Sequence, residues 1–588
     1  MKIIREEARR AVAAGLLRLA EDRATMGVDP ADILIEVPPK PELGDLAVPM
    51  HPFARVFRAA PNQLAIELAR ICVEMKDDKI ARVTAAGPYV NISVSRAYFT
   101  ERIIAAACDE TTEYGQTEEN KGRRVMVEFS SPNTNKPLHL GHLRNDAIGK
   151  SVVNLLSASG ATVWAVNLIN DRGIHICKSM AAYQEFGTGE TPETTGLKGD
   201  HFVGRFYVRY NEWEKQEAER ASSAARALLV KWEAGDTETL ALWAKMNAWA
   251  IEGIEETYEK SGITFDRIYY ESETYQLGRN QIKDGLETGV FFRNEDGSVW
   301  IDLESVNLDQ KILLRSDGTS VYMTQDVGTV LQRREDWPFD QLIYVVAAEQ
   351  DYHFAVLFEI LKRLGHDWAA DLFHLSYGMV NLPDGKMKSR DGTIVDADDL
   401  IERLEQLALE EILERGREAQ IHDVDTTSHE IAMSAIHYYL LQISPQREMV
   451  FDPEASISFA GNTGPYLQYT GARIESVLRT YDASHPPGDP SADYDASLLT
   501  ETTEWEIVKG VSAFPDVVNQ AAAELSPMYM CTFLFELARL YSRYYHDTSI
   551  LHNDNPNTVA ARVALSRAVR NVIRSGLGML NIGFLERM

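Results

Sequence analysis

Cysteine is scarce. The 588 residues hold four, Cys72, Cys108, Cys177 and Cys531, scattered without C-x-x-C spacing. That pattern excludes a disulfide framework and a clustered zinc site, and points to a reducing compartment. A cytoplasmic chain without structural zinc is expected. No run of about 18 apolar residues occurs, so no membrane span is expected. The start, MKIIREEARRAVAAGLLRLAED, is amphipathic but acid-rich and reads as a surface helix, not a signal peptide. Positive charge is in deficit: 59 Lys and Arg against 88 Asp and Glu leave −29. This argues against non-specific nucleic-acid binding. Charge acts locally, however, over a Debye length of about 8 Å. Residues 121–150 carry a net +4 and residues 559–588 another +4, while residues 401–430 carry −6. A shaped RNA partner therefore stays possible.

What is present is a soluble globular composition, 45% hydrophobic and 25% charged, long enough for about four domains. The chain turns on VMVEFSSPNTNKPLHLGHLRNDAIGK, residues 125–150. Val125 to Phe129 reads as a buried strand, apolar but for Glu128. Ser130 to Pro137 is turn chemistry. From Leu138 the apolar spacing is helical, and the helix is expected to run to about Ser159 and stop at Gly160. A strand feeding a polar loop and then a helix start is where α/β folds hold phosphates, because free N–H groups and the helix dipole face the anion. His139 and His142 share a face of that first turn, and Gly141 lets a flat base or sugar approach. The same residues also fit two capping histidines.

SSPNTNKPLHLGH resembles the HIGH signature of class I aminoacyl-tRNA synthetases, and in its SPN-x-x-KP-x-H-x-GH form that of arginyl-tRNA synthetases. The resemblance implies ATP binding by Pro132, Asn133, Lys136, His139, Leu140, Gly141 and His142, with Mg²⁺ on the phosphates. NLPDGKMKSRDGTIVDADDL, residues 381–400, is similar to the family's KMSK loop. Its cations Lys386, Lys388 and Arg390, with Met387, can close over a triphosphate. Ser389 stands where the family pattern has its last lysine, and the resemblance implies that Lys136 compensates.

An arginine substrate carries a guanidinium that keeps its proton, so carboxylates in forked hydrogen bonds suit it. The resemblance implies Glu128, Ser130, Tyr322 and Asp326 around this substrate, with Asn133 and Gln350 at its α-amino and carboxylate groups. Read from the residues alone, Glu128 could instead pair with an internal arginine such as Arg144, and Asp326 could be a helix N-cap. After the next strand the family's Gly-Asp-Trp-Gly is here Asn170-Asp171-Arg172-Gly173, a departure at Arg172.

The expected architecture is α/β. A class I doubly wound parallel sheet (Rossmann-like) occupies residues 111–395, with an insertion at about 175–260. An N-terminal α+β domain, 1–110, is similar to the family's tRNA-contacting module through P-x-x-x-x-GD-x-A and AGPYVNI. A connecting helical region, 396–455, begins with an acidic helix (396–420) whose default is a solvated face. A C-terminal all-α domain, 456–588, is similar to the anticodon-binding domain; from Ser428 to the end the chain reads as helices, with breaks expected at Pro445, Gly461 to Pro465, Pro486 to Pro490 and Pro515. Arg567, Arg570 and Arg574 fall on one helix stripe and fit either a phosphate-facing row or a solvated face. The implied partners are tRNA(Arg), L-arginine and ATP, with no membrane, and the chain is expected to be a monomer. A tRNA-independent ligase of the same fold and a catalytically silent RNA-binding relative are the alternatives.

Overall fold

The fold was examined in a computed structural model that describes residues 2–22, 33–109, 111–187, 189–319, 321–381, 383, 395–416, 421–485 and 494–588. Its N-terminal part packs helices α1 (Lys2–Asp22) and α2 (Pro61–Met75) on a three-stranded sheet of β1 (Leu46–Pro49), β2 (Ile80–Ala86) and β3 (Tyr89–Val94), with α3 (Arg96–Ala107) following. β2 and β3 form the antiparallel pair that the alternation in IARVTAAGPYVNISVS predicts, with Val83 opposite Ile92. Gly44 has φ +126°, and a Cβ there would lie 2.8 Å from the Ile92 carbonyl, so only glycine fits. Next to it, the Asp45 carboxylate accepts from the Val94 N–H at 3.0 Å and the Trp505 indole at 3.2 Å, tying this part to the C-terminal helices.

The central sheet has five parallel strands in the order β11-β10-β4-β5-β6: β4 (Arg124–Glu128), β5 (Thr162–Ile169), β6 (Arg267–Tyr270), β10 (Gln341–Ala347) and β11 (Leu372–Tyr377). Helix α4 (Leu140–Ala158) makes the β4-to-β5 crossover. β5 and β6 extend the sheet one way from β4; β10 and β11 extend it the other. The order therefore reverses at β4 and β10, and a crevice opens beyond their carboxyl ends. Between β5 and β6 stand α5 (Ile174–Phe186), α6 (Gly199–Gln216), α7 (Ala218–Glu233) and α8 (Thr237–Ser261), which form their own apolar core.

β7 (Phe292–Arg293), β8 (Val299–Ile301) and β9 (Lys311–Leu314) form a separate antiparallel sheet. Helix α9 (Tyr322–Asp336) follows it. Tyr322 is thus the first residue of a helix and does not lie on a strand. Asp326 lies one turn inside that helix and does not open it. Helix α10 (Asp351–Arg363) connects β10 to β11. β12 (Val380–Asn381) pairs with β13 (Met449–Val450).

The acidic helix is α11 (Ala397–Glu414), and its default of a solvated face is only half right. Leu400, Ile401, Leu404, Ala408 and Ile412 are buried, and α12 (Val424–Leu441) packs beside it. The C-terminal part is α13 (Gly464–Asp482), α14 (Thr502–Ala523), α15 (Met528–Asp547) and α16 (Pro556–Met579). The break expected at Pro515 is absent: it lies inside α14. A proline there leaves the Val511 carbonyl without its helical donor. The Tyr114 hydroxyl, from the segment between α3 and β4, donates to that carbonyl at 3.1 Å. Arg567, Arg570 and Arg574 do not form a free row: Arg567 pairs with Asp482 at 2.9 Å, Arg570 and Arg574 with Glu475 at 2.7 and 3.2 Å, while Arg567 and Arg574 stay partly solvated.

Candidate active site

The signature turn carries two consecutive residues with left-handed backbone, Ser130 (φ 75°) and Ser131 (φ 50°). Such strain persists only where the surroundings hold it. Here the Asn145 side-chain oxygen accepts the Ser130 N–H at 2.6 Å, and Asn167 accepts the Ser131 N–H at 3.0 Å. Ser130 itself is buried, with its hydroxyl 2.7 Å from that of Tyr258.

The start of α4 caps itself. Nδ1 of His139 accepts from the Gly141 N–H at 3.1 Å, and the His139 N–H donates to Nδ1 of His142 at 3.1 Å. The His142 N–H goes to the His139 carbonyl at 2.7 Å, and the Leu140 N–H to the Val395 carbonyl at 3.1 Å. The expectation of free N–H groups awaiting a phosphate is thereby overturned for these groups, because the imidazoles, the His139 carbonyl and the segment before α11 take them. Leu140 contributes a fully buried side chain to the core. The capping reading and the binding reading of the histidines are compatible, since each ring keeps a second nitrogen. With Nδ1 accepting, the proton of a neutral ring sits on Nε2. Burial pushes His139 down to about 4, helped by nearby Lys136, and holds His142 well below its usual value. Both rings are neutral Nε2–H donors at pH 7. Lys136 is half-buried, its pKa lowered by burial, and has no ion pair among the described residues.

Glu128 has met its cation, and it is not Arg144. The Glu128 carboxylate pairs with Arg333 of α9, which is 1% exposed, and accepts from the Ser131 hydroxyl at 3.3 Å. Arg144 instead donates to the carbonyls of Met379, Pro445 and Arg447 at 3.0, 3.2 and 2.6 Å. Glu128 thus braces α9. A second acid, Glu271, stands at the carboxyl end of β6. Its carboxyl is pushed up to about 7, first by burial; Arg172 opposes this, while Asp171 and Asp326 add to it. Burial, then Glu271 and more weakly Asp326, raise the Tyr322 hydroxyl, so Glu271, Tyr322 and Asp326 form one electrostatic neighbourhood. Tyr322 is 66% exposed, and Asp326 bonds His353 at 2.6 Å. Asp171 fixes the segment carrying Glu271 by accepting from the Ser272 N–H at 2.8 Å and its hydroxyl at 2.6 Å. Arg172, at the departure from the family pattern, stacks over Tyr275 at 4.0 Å and Trp232 at 5.0 Å.

Asn133 bridges to Asn170 on the signature loop, Pro132 is buried beside it, and Gln350 is exposed beyond the end of β10. Lys386, Met387, Lys388, Ser389 and Arg390 lie outside the described residues. Where the chain is described again, Val395 to Ala397 is stitched to the start of α4, with the Ala397 N–H on the Leu138 carbonyl at 3.0 Å. One turn on, Asp398 meets Lys198 at 2.6 Å and His201 at 3.1 Å. Asp200, His201 and Asp398 converge as metal ligands can, but the Lys198 ammonium already sits between the two carboxylates, 3.3 Å from Asp200 and 2.6 Å from Asp398.

Reading the sequence missed Glu271 and Arg333. Glu271 directly follows a β-branched and aromatic run, RIYY, and ligands in such sheets bind at the carboxyl ends of strands. Arg333 sits in LQRRED, which looks like an ordinary basic helix end.

Three family models match the chain: tRNA synthetases class I (R), catalytic domain, over residues 104–452; the DALR anticodon binding domain over 467–588; and the arginyl tRNA synthetase N terminal domain over 3–94. The arginine–tRNA ligase of Treponema denticola is 50% identical over 95% of both chains, and that of Treponema pallidum 48% identical over 99% of both. Among solved structures, arginyl-tRNA synthetase of Thermus thermophilus shares the fold with a TM-score of 0.79 at 24% identity, covering 99% of this chain and 100% of the other. The chain belongs to the arginyl-tRNA synthetase family of class I tRNA synthetases.

Proposed function

We propose that the chain is an arginine–tRNA ligase. It condenses L-arginine with Mg²⁺-ATP to arginyl-adenylate and pyrophosphate, then passes the arginyl group to the 3′-terminal ribose of tRNA(Arg), releasing AMP. The observation that carries this reading is the trio of Glu271, Asp326 and exposed Tyr322 in one electrostatic neighbourhood. Two acids accept a guanidinium, and the tyrosine ring offers it a face. Across the crevice, Nε2–H of His139 and His142 donates to phosphate oxygens, so neither ring adds or loses charge as the pentavalent phosphorus forms. Lys136 supplies a cation that burial has already stripped of water. The cations of the 386–390 loop act on the same triphosphate.

Asn133 and Gln350 take the α-amino and carboxylate groups. The arginine carboxylate oxygen attacks the α-phosphorus and pyrophosphate leaves. A hydroxyl of the terminal ribose then attacks the mixed-anhydride carbonyl, and the AMP oxygen leaves. The helices at 467–588 read the anticodon stem and the N-terminal module contacts the tRNA elsewhere. The enzyme works as a cytoplasmic monomer.

ATP–pyrophosphate exchange with each amino acid, with and without tRNA, tests the reading. Exchange with arginine alone, dependent on tRNA, is expected. Arginine-dependent exchange that ignores tRNA favours a tRNA-independent ligase, and no exchange at all favours a silent RNA-binding relative.

A further inference from the structure

A cleft of 640 Å³ lies beside the signature loop. Asn133, Asn135 and Lys136 of the loop form its floor; His175 and Lys178 of α5 and Tyr207 and Lys215 of α6 line its walls. α6 is pressed against the loop. A Cβ on Gly204 would lie 2.8 Å from the Pro137 ring, so the wall and the loop are held at a fixed spacing. Three lysines face one acid, Glu214, and Lys178 lies 3.3 Å from its carboxylate. The cleft therefore keeps two positive charges in excess. One belongs to Lys136, half-buried and without an ion pair among the described residues, an arrangement that is costly unless an anion meets it. The aromatic wall is ordered too: Nδ1 of His175 stands 3.4 Å from the Tyr207 hydroxyl, with the rings edge to face at 6.3 Å. Burial, then Lys178 and Lys136, lower the His175 pKa and favour a neutral ring.

Cations that track phosphates beside rings that stack on bases are the chemistry of single-stranded nucleic acid. We propose that this cleft seats the unpaired 3′-terminal nucleotides of the tRNA, Tyr207 and His175 stacking on a base and Lys178 and Lys215 holding its phosphates. Lys136 then stands between the incoming strand and the ATP site, three residues before His139. The inference rests on the ligase reading and names where its second substrate enters.

The test compares tRNA(Arg) with the same transcript trimmed of its 3′-terminal nucleotides. Binding of both is measured to the wild type and to the Tyr207→Leu, Tyr207→Phe and Lys215→Ala variants. Trimming should weaken binding to the wild type. For Tyr207→Leu that penalty should shrink roughly tenfold. For Lys215→Ala, whose side chain is exposed and whose loss threatens no core, it should shrink severalfold. Tyr207→Phe should keep it, because the ring remains. Unchanged affinity for the trimmed transcript shows that the variants are folded. A wild type indifferent to trimming, or variants that weaken both transcripts equally or neither, would overturn the proposal. Charging of tRNA by the wild type, measured alongside, separates that failure from failure of the ligase reading.

Discussion

At the scale of single residues, the site turns on protonation states set by burial. Glu271 has a carboxyl near 7. In the empty pocket it is partly protonated at neutral pH, whereas a bound guanidinium favours its ionised form. Arginine binding then releases a proton from Glu271. Below pH 7 that release opposes binding, so the arginine KM should rise by up to about tenfold per pH unit as pH falls, and level off above pH 8. Glu271→Gln should flatten this profile and raise the arginine KM while leaving the ATP KM within about twofold. An equal rise in both constants would remove Glu271 from the substrate pocket. His139 behaves in the opposite sense. Its imidazole lies near 4, below the usual 6.5, so it stays neutral through the working range. Its ring proton resonance should not move between pH 8 and about pH 5.5; a midpoint near 6.5 would mean that the cap seen here does not persist in solution.

At the scale of elements, long-range bonds repair what local sequence leaves open. Pro515 stands inside α14 because Tyr114 supplies the hydrogen bond that the proline withholds. Tyr114→Phe keeps the ring and removes only that donor. It should cost about 1 kcal/mol, and up to about 3 kcal/mol because the carbonyl is left buried without a partner. Urea unfolding measures this, and an unchanged midpoint would show that water replaces the hydroxyl. The Glu128–Arg333 pair does similar work between β4 and α9: the strand before the signature turn and the helix bearing Tyr322 and Asp326 are braced by one buried ion pair. Glu128 is thereby the brace that positions the helix carrying Tyr322 and Asp326.

At the scale of the whole molecule, an acidic chain that binds RNA must do so through local fields. Part of the −29 charge is concentrated in residues 401–430, which carry −6 and include most of α11. The arginines of α16 are already paired with Asp482, Glu475 and Glu586. Arg567→Gln should therefore leave the salt dependence of tRNA binding unchanged. Lys215→Ala should lower the slope of log affinity against log salt by about one. A slope that drops with Arg567 instead would place the acceptor strand's charge contacts at the other end of the molecule.

The local parts of this architecture were legible in the sequence. The strand-turn-helix at residues 125–158, the self-supplied cap chemistry of His139 and His142 and the hairpin at 80–94 all depend on contacts a few residues apart. So did the family signature, since it is written in one continuous turn. The choice of partners was not legible. Which acid shares a neighbourhood with Asp326, whether Arg144 or Arg333 meets Glu128, and whether the start of α4 offers its N–H groups or surrenders Leu140's to Val395 are settled between segments 55 to 303 residues apart. Spacing along the chain fixes which way a side chain points from its own helix or strand; only the packing of distant strands and helices decides what it meets there.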